Sequence, residues 1–275
     1  MVVFAGQGDT RRSMSLLWRA EQPEQPRRSP GPGPRPGLSV DAIVTVAIAV
    51  ADEDGMAALS MRAVGERLGR TAMALYTYVP GKSELLDLMY DAVHAELPTQ
   101  YADIDNWRAG LTDWAHDTLA FHLRHPWVLQ VSQARPVLGP HEYAGLDTLV
   151  RLLNATGLDA PLLRRLVGTL SHFVRGCAGT VAEARQAAAV TGESDEEWWF
   201  ARSALLGEVA PDFAARYPSL TAMESESTPQ QPPSAPGEEA MPYLEREARE
   251  TFTVGLDVLL DGIEAAIRRT RTRTL

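Results

Sequence analysis

The chain has 275 residues and a formal net charge of −10 at pH 7, and 45% of its residues are hydrophobic. That length fits one large domain or two ordinary ones, and the acidic balance argues against binding nucleic acid through total charge. A single cysteine, Cys177, excludes an internal disulfide, and the sequence offers neither the apolar run of a membrane helix nor the charge order of a secretory signal, so we expect a cytoplasmic protein without a membrane partner.

Two low-complexity segments are visible. Residues 1–37 are predicted to be a disordered arm, because 23–37 is dense in proline and glycine. A second, acidic stretch at about 221–242 is predicted to be a mobile loop. The arm carries six arginines that can enter a DNA minor groove, although a solvated tail is the simpler interpretation. They are Arg11, Arg12, Arg19, Arg27, Arg28 and Arg35.

Residues 38–97 are predicted to form a small helical domain. Apolar residues recur there at helical spacing, with Ser39 and Ser60 as N-caps and Gly55 and Gly69 as stop signals. The predicted helices are 39–54, 61–68, 71–79 and 82–97.

Residues 98–275 are predicted to form a larger helical domain, since strand-like alternation is absent and helical period continues. The predicted helices are 104–125, 127–133, 141–156, 160–188, 195–206 and 243–269. The expected fold class is therefore all-α, with an N-terminal three-helix unit followed by a larger helical bundle.

The two short helices at about 60–79 meet at a turn that contains glycine, which is typical of a helix-turn-helix. Val64, Leu68 and Leu75 can form its core. Arg62 and Lys82 can reach phosphates or base edges. The other faces of the second short helix carry hydroxyls and methyls that suit a DNA groove, on Thr71, Met73, Tyr76, Thr77 and Tyr78. The pattern alone also fits three short helices with ordinary solvated faces.

The charge of this small domain argues against DNA binding. Residues 38–97 contain four basic and nine acidic residues, whereas affinity for phosphate usually needs a positive face. The basic residues all lie in the second to fourth helices, and four of the acids lie on the first helix or at its end. We therefore expect the charges to segregate by face.

The span ALSMRAVGERLGRTAMALYTYVPGKSELLDLM (58–89) resembles the TetR family of transcriptional regulators. Shorter stretches at 171–179 and 252–267 resemble the C-terminal domain of its tetracycline-repressor branch. The resemblance implies a homodimeric repressor that binds a palindromic operator and is released by a small-molecule effector. It places DNA contacts at Ser60, Met61, Arg62, Thr71, Ala72, Met73, Ala74, Tyr76, Tyr78 and Lys82.

The larger domain is expected to bind the effector and to form the dimer. Most of its large side chains belong to the core, but some should line a pocket, and we select Trp114, Phe121, His172 and Arg175. In the family, two long C-terminal helices of each subunit build the dimer interface. An apolar stripe suits that role, although packing within one subunit explains it equally. It comprises Leu256, Leu259, Leu260, Ile263 and Ile267.

A metal site was considered on the helix that carries His116, His122 and His125 together with Asp113 and Asp117. The spacing can hold a metal, but a polar helix face is the commoner explanation. The tetracycline-repressor branch binds magnesium and drug through two histidines and a glutamate. A local alignment places Pro98, Val131 and Thr180 at those positions, and none can replace the ligands. We expect no metal, no cofactor and a different effector.

Two alternatives remain. The first is a helical enzyme or metal-binding protein without DNA function, but no hydrolase, zincin or phosphate-loop motif supports catalysis, and Cys177 has no neighbouring activator. The second keeps the family but makes the protein an activator or a homologue that does not bind DNA.

Overall fold

The computed structural model describes residues 2–20, 38–101, 106–226 and 241–274. The all-α class is confirmed, because the described residues form α-helices and one 3-10 helix, with an isolated bridge between Val3 and Val131. They divide into two compact units, one made from residues 1–178 and 256–275 and the other from 179–255. No helix in the described part of the chain is long and apolar enough to cross a membrane.

Apart from the first helix, which was not predicted, the helices of the first unit follow the predicted order. Its N-terminal part contains α1 (Thr10–Leu17), α2 (Val40–Asp54), α3 (Met61–Arg67), α4 (Ala72–Tyr76) and α5 (Lys82–His94). It continues with α6 (Trp107–Arg124), the 3-10 helix Pro126–Gln130 and α7 (Pro140–Asn154). The helices α2 to α5 match the four segments predicted in 38–97, and we call these residues the head. The predicted helix 127–133 is instead the 3-10 helix.

The head forms around a small apolar core. Ser39 accepts a hydrogen bond from the backbone of Ala42 and starts α2, and Gly55 (φ 79°) ends it. The helix α2 packs against α3 and α5, and α3 packs against α4. As predicted, Val64 and Leu75 are fully buried between these helices. The first turns of α3 and α4 are therefore fixed relative to α5.

The prediction of a disordered arm over 1–37 is wrong for residues 2–20. Asp9 caps α1, which packs against α5, and Ala5 and Leu17 are buried. The dense run of proline and glycine residues is confined to 23–37. Residues 2–20 instead contain the apolar and capping residues that a docked helix needs. The segment 21–37, with Arg27, Arg28 and Arg35, lies outside the described residues.

Two buried carboxylates on α5 hold the N-terminal segment (residues 2–20). Glu84 accepts a hydrogen bond from the backbone of Asp9 (2.9 Å). Asp87 accepts from the backbone of Gly6 and from the hydroxyl of Ser13, both at 2.8 Å. The indole of Trp18 donates to the carbonyl of Leu138 (3.0 Å). The segment thus ties α5 to the loop before α7.

The second unit contains three helices of its own, α9 (Asp195–Val209), α10 (Phe213–Arg216) and α11 (Pro218–Glu226). The long helices α8 (Ala160–Thr191) and α12 (Tyr243–Thr274) contribute residues to both units. Within this unit the buried carboxylate of Glu245 pairs with Arg185 and Arg249. The mobile loop predicted at 221–242 is wrong for 221–226, which complete α11, and its residues 227–240 lie outside the described ranges.

Candidate functional site

The turn between α3 and α4 is tight because of two glycines, Gly65 within α3 and Gly69 in the turn itself. A Cβ on Gly65 would lie 2.8 Å from the carbonyl oxygen of Arg70, so only a very small residue allows this close approach. Gly69 has a φ of 64°, which glycine adopts without strain. Ser60 and Thr71 cap α3 and α4 by accepting hydrogen bonds from backbone amides. The local sequence therefore builds a helix-turn-helix.

Most of the side chains predicted to contact DNA are exposed on this unit. Met73 is 74% exposed and Tyr76 is 44% exposed. The other exposed ones are Arg62, Thr71, Thr77, Tyr78 and Lys82. Ser60, Ala72 and Ala74 are half-buried, and Met61 is buried, so its side chain belongs to the core of the head. The unit presents hydroxyl, aromatic, thioether and cationic groups together, which suits a nucleic-acid groove.

All nine acidic residues of the head have hydrogen-bond or ion-pair partners inside the molecule. Asp41 pairs with Arg19, Glu66 with Arg62, and Glu96 with Arg124. The side chain of Arg67 bridges Glu53 and Asp54. Glu84 and Asp87 hold the N-terminal segment, and the last two acids, Asp52 and Asp91, accept hydrogen bonds from the larger domain. The acidic side chains thus serve as structural acceptors.

Asp52 connects the head to the 3-10 helix. Its carboxylate accepts a hydrogen bond from the indole of Trp127 (2.8 Å) and lies 2.9 Å from Nδ1 of His125. The other ring nitrogen of His125 lies 3.2 Å from Glu96. Trp127 is almost fully buried. Sequence analysis counted Asp52 only as a negative charge, because its partners lie more than 70 residues away.

Asp91 connects α5 to the beginning of α7. It accepts hydrogen bonds from the backbone amides of His141 (2.9 Å) and Glu142 (3.0 Å). A buried carboxylate at a helix N-terminus is stabilised by the unpaired amides and by the helix dipole. The helix α5 is therefore held on one side by the N-terminal segment and on another by α7.

A cavity of about 400 Å³ lies beside α5, α6 and α7. Its size is that of a small-molecule site. Aromatic and aliphatic side chains predominate in its lining, with a few polar groups. The aromatic and polar residues of the lining include Tyr90, His94, Trp114, Thr118, Phe121, His122, Gln133, Glu142 and Tyr143.

The structure brings together two of the four predicted pocket residues. Trp114 and Phe121 line the cavity. His172 is exposed, and Arg175 donates hydrogen bonds to the backbone carbonyls of Leu129 (2.6 Å) and Val131 (2.8 Å). Neither is among the described residues that line the cavity. Sequence analysis missed Thr118 and His122 as pocket residues, although Trp114, Thr118 and His122 follow one another at i, i+4 spacing along one face of α6.

His122 is kept neutral by its surroundings. It is 94% buried, and burial, aided by the charge of Arg175, lowers the pKa of its imidazole to about 3. Burial also lowers the pKa of His94, whose ring contacts that of Phe121. At neutral pH the cavity therefore contains uncharged imidazoles that can both donate and accept hydrogen bonds.

We expect this histidine to make the protein acid-sensitive. Unfolded histidine titrates near pH 6.5, whereas folded His122 stays neutral down to about pH 3. Its contribution is fully present above pH 6.5 and is lost as the pH falls below it, by about 1.4 kcal/mol per pH unit. Urea unfolding at pH 7.5 and 5.5 should therefore show about 1.3 kcal/mol less acid destabilisation in His122→Phe than in the unaltered chain. Equal losses in the two proteins would show that His122 is not buried and neutral.

The histidines considered for a metal site have different surroundings. His116 contacts the carbonyl of Thr112, His122 faces the cavity, and His125 lies between Asp52 and Glu96. Within the described ranges, no group of three or more histidine, cysteine, aspartate or glutamate side chains is placed to hold a metal ion.

Two family models match the chain, and together they cover most of it. Residues 43–89 match the model described as bacterial regulatory proteins, tetR family. Residues 100–267 match the tetracyclin repressor-like C-terminal domain. The first match contains α3, α4 and the turn between them, and the second contains α6, α7 and α8.

Similar proteins agree with these matches. The chain is 36% identical over 269 residues to the HTH-type transcriptional repressor DrrR1 of Streptomyces coeruleorubidus, covering 97% of this chain and 90% of the relative. Among solved structures, ActR of Streptomyces coelicolor in complex with actinorhodin is 23% identical with a TM-score of 0.64, covering 84% of this chain and 99% of ActR. The chain also resembles an HTH-type transcriptional regulator of Saccharopolyspora erythraea, 30% identical over 46% of this chain and 53% of that protein.

Proposed function

Because the chain belongs to the TetR family of bacterial regulatory proteins, it is a DNA-binding regulator of transcription, not an enzyme, and we propose a detailed mechanism for it. Two copies of the head (38–97) bind a palindromic operator in the cytoplasm and repress transcription. A small molecule then enters the cavity of the larger domain (98–275) and releases the protein from DNA. The similarity to a transcriptional repressor over nearly the whole chain supports repression over activation.

The observation that carries this proposal is the distribution of charge in the head. The acidic side chains pair within the molecule, while α4 exposes Met73 and Tyr76 and the next helix begins with exposed Lys82. Phosphate contacts from such residues fix the position of the head, and contacts with base edges give specificity. A head that is acidic overall can thus present a face suited to DNA.

The helix α5 is placed to couple the two sites. Lys82 begins α5 on the DNA side, and Tyr90 and His94 near its end line the cavity. A ligand that moves α5 changes the orientation of the head. In a dimer, the two heads must match successive major grooves about 34–36 Å apart. Release follows when the ligand binds the mismatched state more tightly than the matched one.

The homodimer is supported by exposed apolar residues on the C-terminal helix. The stripe predicted for the interface is not an exposed surface. Leu259 is half-buried, and the other four residues, Leu256, Leu260, Ile263 and Ile267, are buried within one chain. Val254 and Val258 are each 64% exposed and lie one helical turn apart. Large apolar side chains exposed in this way favour an interface. We therefore assign the dimer seam to the face of α12 that contains these two valines.

The effector is a small molecule of largely aromatic character. The cavity has about the volume of a small-molecule site, and ActR, which shares the fold, has been solved with actinorhodin. Aromatic side chains on α5 and α6 provide the matching surface in this chain. The metal-and-drug arrangement of the tetracycline-repressor branch is not expected here, since Pro98, Val131 and Thr180 cannot replace its ligands.

A gel-shift titration with DNA upstream of the protein's own gene tests the function. We expect a complex with two chains per operator, and its affinity should fall steeply with salt because phosphate contacts release counterions. If that DNA gives no shift, selection from a random-sequence library locates an operator elsewhere. Failure of both, with a folded dimer, would rule out DNA binding.

A further inference from the structure

Four aromatic rings form one continuous wall of the cavity. The ring centroids of Tyr90 and His94 are 4.4 Å apart, those of His94 and Phe121 5.0 Å, and those of Phe121 and His122 5.2 Å. All four residues line the cavity. Successive rings are tilted by 42°, 58° and 51° to one another, so they offer both edges and faces to an aromatic ligand. The wall is therefore suited to a ligand with several aromatic rings.

Thr118 lacks the hydrogen bond to the backbone that other helical threonines of this chain make. A threonine inside a helix usually donates its hydroxyl to the carbonyl four residues earlier, as Thr112, Thr148 and Thr169 do here at 2.8–3.0 Å. The hydroxyl of Thr118 is buried and has no hydrogen-bond partner among the described residues. Thr118 is one of the residues that line the cavity. An unpaired buried hydroxyl is costly unless something binds to it.

His122 presents a second unpaired atom one helical turn later. Its Nδ1 is buried, and no side chain or backbone group in the described ranges hydrogen-bonds to it. The nearby guanidinium of Arg175 is engaged with three backbone carbonyls. Residues four apart on a helix share one face, with Cβ atoms about 5–6 Å apart. The two unpaired atoms can therefore meet polar groups on one edge of the same ligand.

The charge of the cavity restricts the ligand further. Among the described lining residues, Glu142 is the one with an ionisable carboxyl, and none is a lysine or arginine. Burial raises the pKa of Glu142, and its carboxylate already accepts a hydrogen bond from the backbone of Leu138. The cavity thus offers no cation to pair with a ligand anion, which favours an uncharged ligand.

We propose that Thr118 and His122 are a polar anchor that selects uncharged, planar polycyclic aromatics with a hydroxyl and a carbonyl on one edge. The threonine hydroxyl donates to the ligand carbonyl, and the imidazole accepts from the ligand hydroxyl. The rings of the wall pack against the aromatic system of the ligand with their edges and faces. This inference rests on the proposed function of the cavity as the effector site.

Binding of two matched probes tests the anchor. Anthraquinone and 2-(hydroxymethyl)anthraquinone share one ring system, and the hydroxyl of the second probe is neutral and too far from the ring carbonyl to bond to it internally. Tryptophan fluorescence quenching follows the binding of both probes. We expect the hydroxylated probe to bind the unaltered protein about fivefold more tightly, as one added hydrogen bond allows. In Thr118→Val/His122→Phe the two affinities should become equal. Because that variant loses no protein hydrogen bond, its melting temperature should be unchanged or higher.

Two further variants make the result specific. Thr148→Val removes a buried hydroxyl that is already paired with the carbonyl of Ala144, so the preference should remain. Thr118→Ser keeps the hydroxyl and should retain the preference, whereas Thr118→Val alone should reduce it. If the double variant does not fold, comparing Thr118→Ser with Thr118→Val still tests whether the hydroxyl of residue 118 selects the hydroxylated probe.

Three outcomes would overturn the anchor: equal binding of both probes by the unaltered protein, a preference that survives in the double variant, or no binding of either probe. In each case an intact gel shift with operator DNA would leave the proposed function standing. If DNA binding were absent while the preference for the hydroxylated probe remained, the proposed function would be overturned and the anchor would stand.

Discussion

Replacing Arg62, Tyr76 and Lys82 together with alanine is expected to abolish operator binding while leaving the fold intact. All three side chains are exposed on α3, α4 or the start of α5. Arg62 pairs only with exposed Glu66 one turn away, and such a pair contributes little to stability. Roughly a threefold loss for each of three contacts in two heads compounds to about a thousandfold loss of affinity.

The salt dependence of binding should change as well. The triple variant removes two cations from each head, so the slope of log affinity against log salt should become less steep by about three to four. Arg164→Ala/Arg165→Ala is the matched control, since it also removes two exposed arginines, from α8. We expect this control to bind with nearly unaltered affinity. If control and triple variant lose affinity equally, the effect comes from net charge and the assigned contacts are wrong.

Deleting residues 2–20 is expected to lower the free energy of unfolding by about 2–4 kcal/mol, because it removes the hydrogen bonds to Glu84 and Asp87 and the apolar burial of Ala5 and Leu17. Asp87 is 2% exposed and accepts from Gly6 and Ser13, and Glu84 accepts from Asp9. Burial raises the pKa of Asp87, and these donors oppose that rise. The N-terminal segment therefore covers α5 and also stabilises the ionised carboxylate of Asp87.

A double-mutant cycle separates these hydrogen bonds from the general effect of truncation. Asp87→Ala should cost about 2 kcal/mol in the full chain and close to nothing in the truncated chain, measured by urea unfolding. Asp147→Ala, which removes an exposed carboxylate paired with Arg151, should cost the same in both backgrounds. Additive effects of truncation and Asp87→Ala would refute the assigned link between the segment and α5.

The local features of the head could be predicted from sequence because their physical causes are local. Ser39, Ser60 and Thr71 cap the helices whose starts they were predicted to mark, and Val64 and Leu75 occupy the predicted core. A cap or an amphipathic face depends on residues within one or two turns. The same reasoning predicted the all-α class and, with the family resemblance, a DNA-binding regulator.

Only the tertiary structure decided where the polar side chains find partners. Asp52 meets Trp127, and Asp87 meets Gly6 and Ser13, across more than 70 residues of sequence. No local pattern encodes such pairs. The sequence therefore indicated acidic residues without partners in the head, and it indicated disorder in residues 2–20, which are in fact docked on α5. The cavity is similar in this respect, since Thr118 and His122 became recognisable only once packing had left them buried without partners. Local propensity fixes the helices, whereas burial decides which polar groups are left for a ligand.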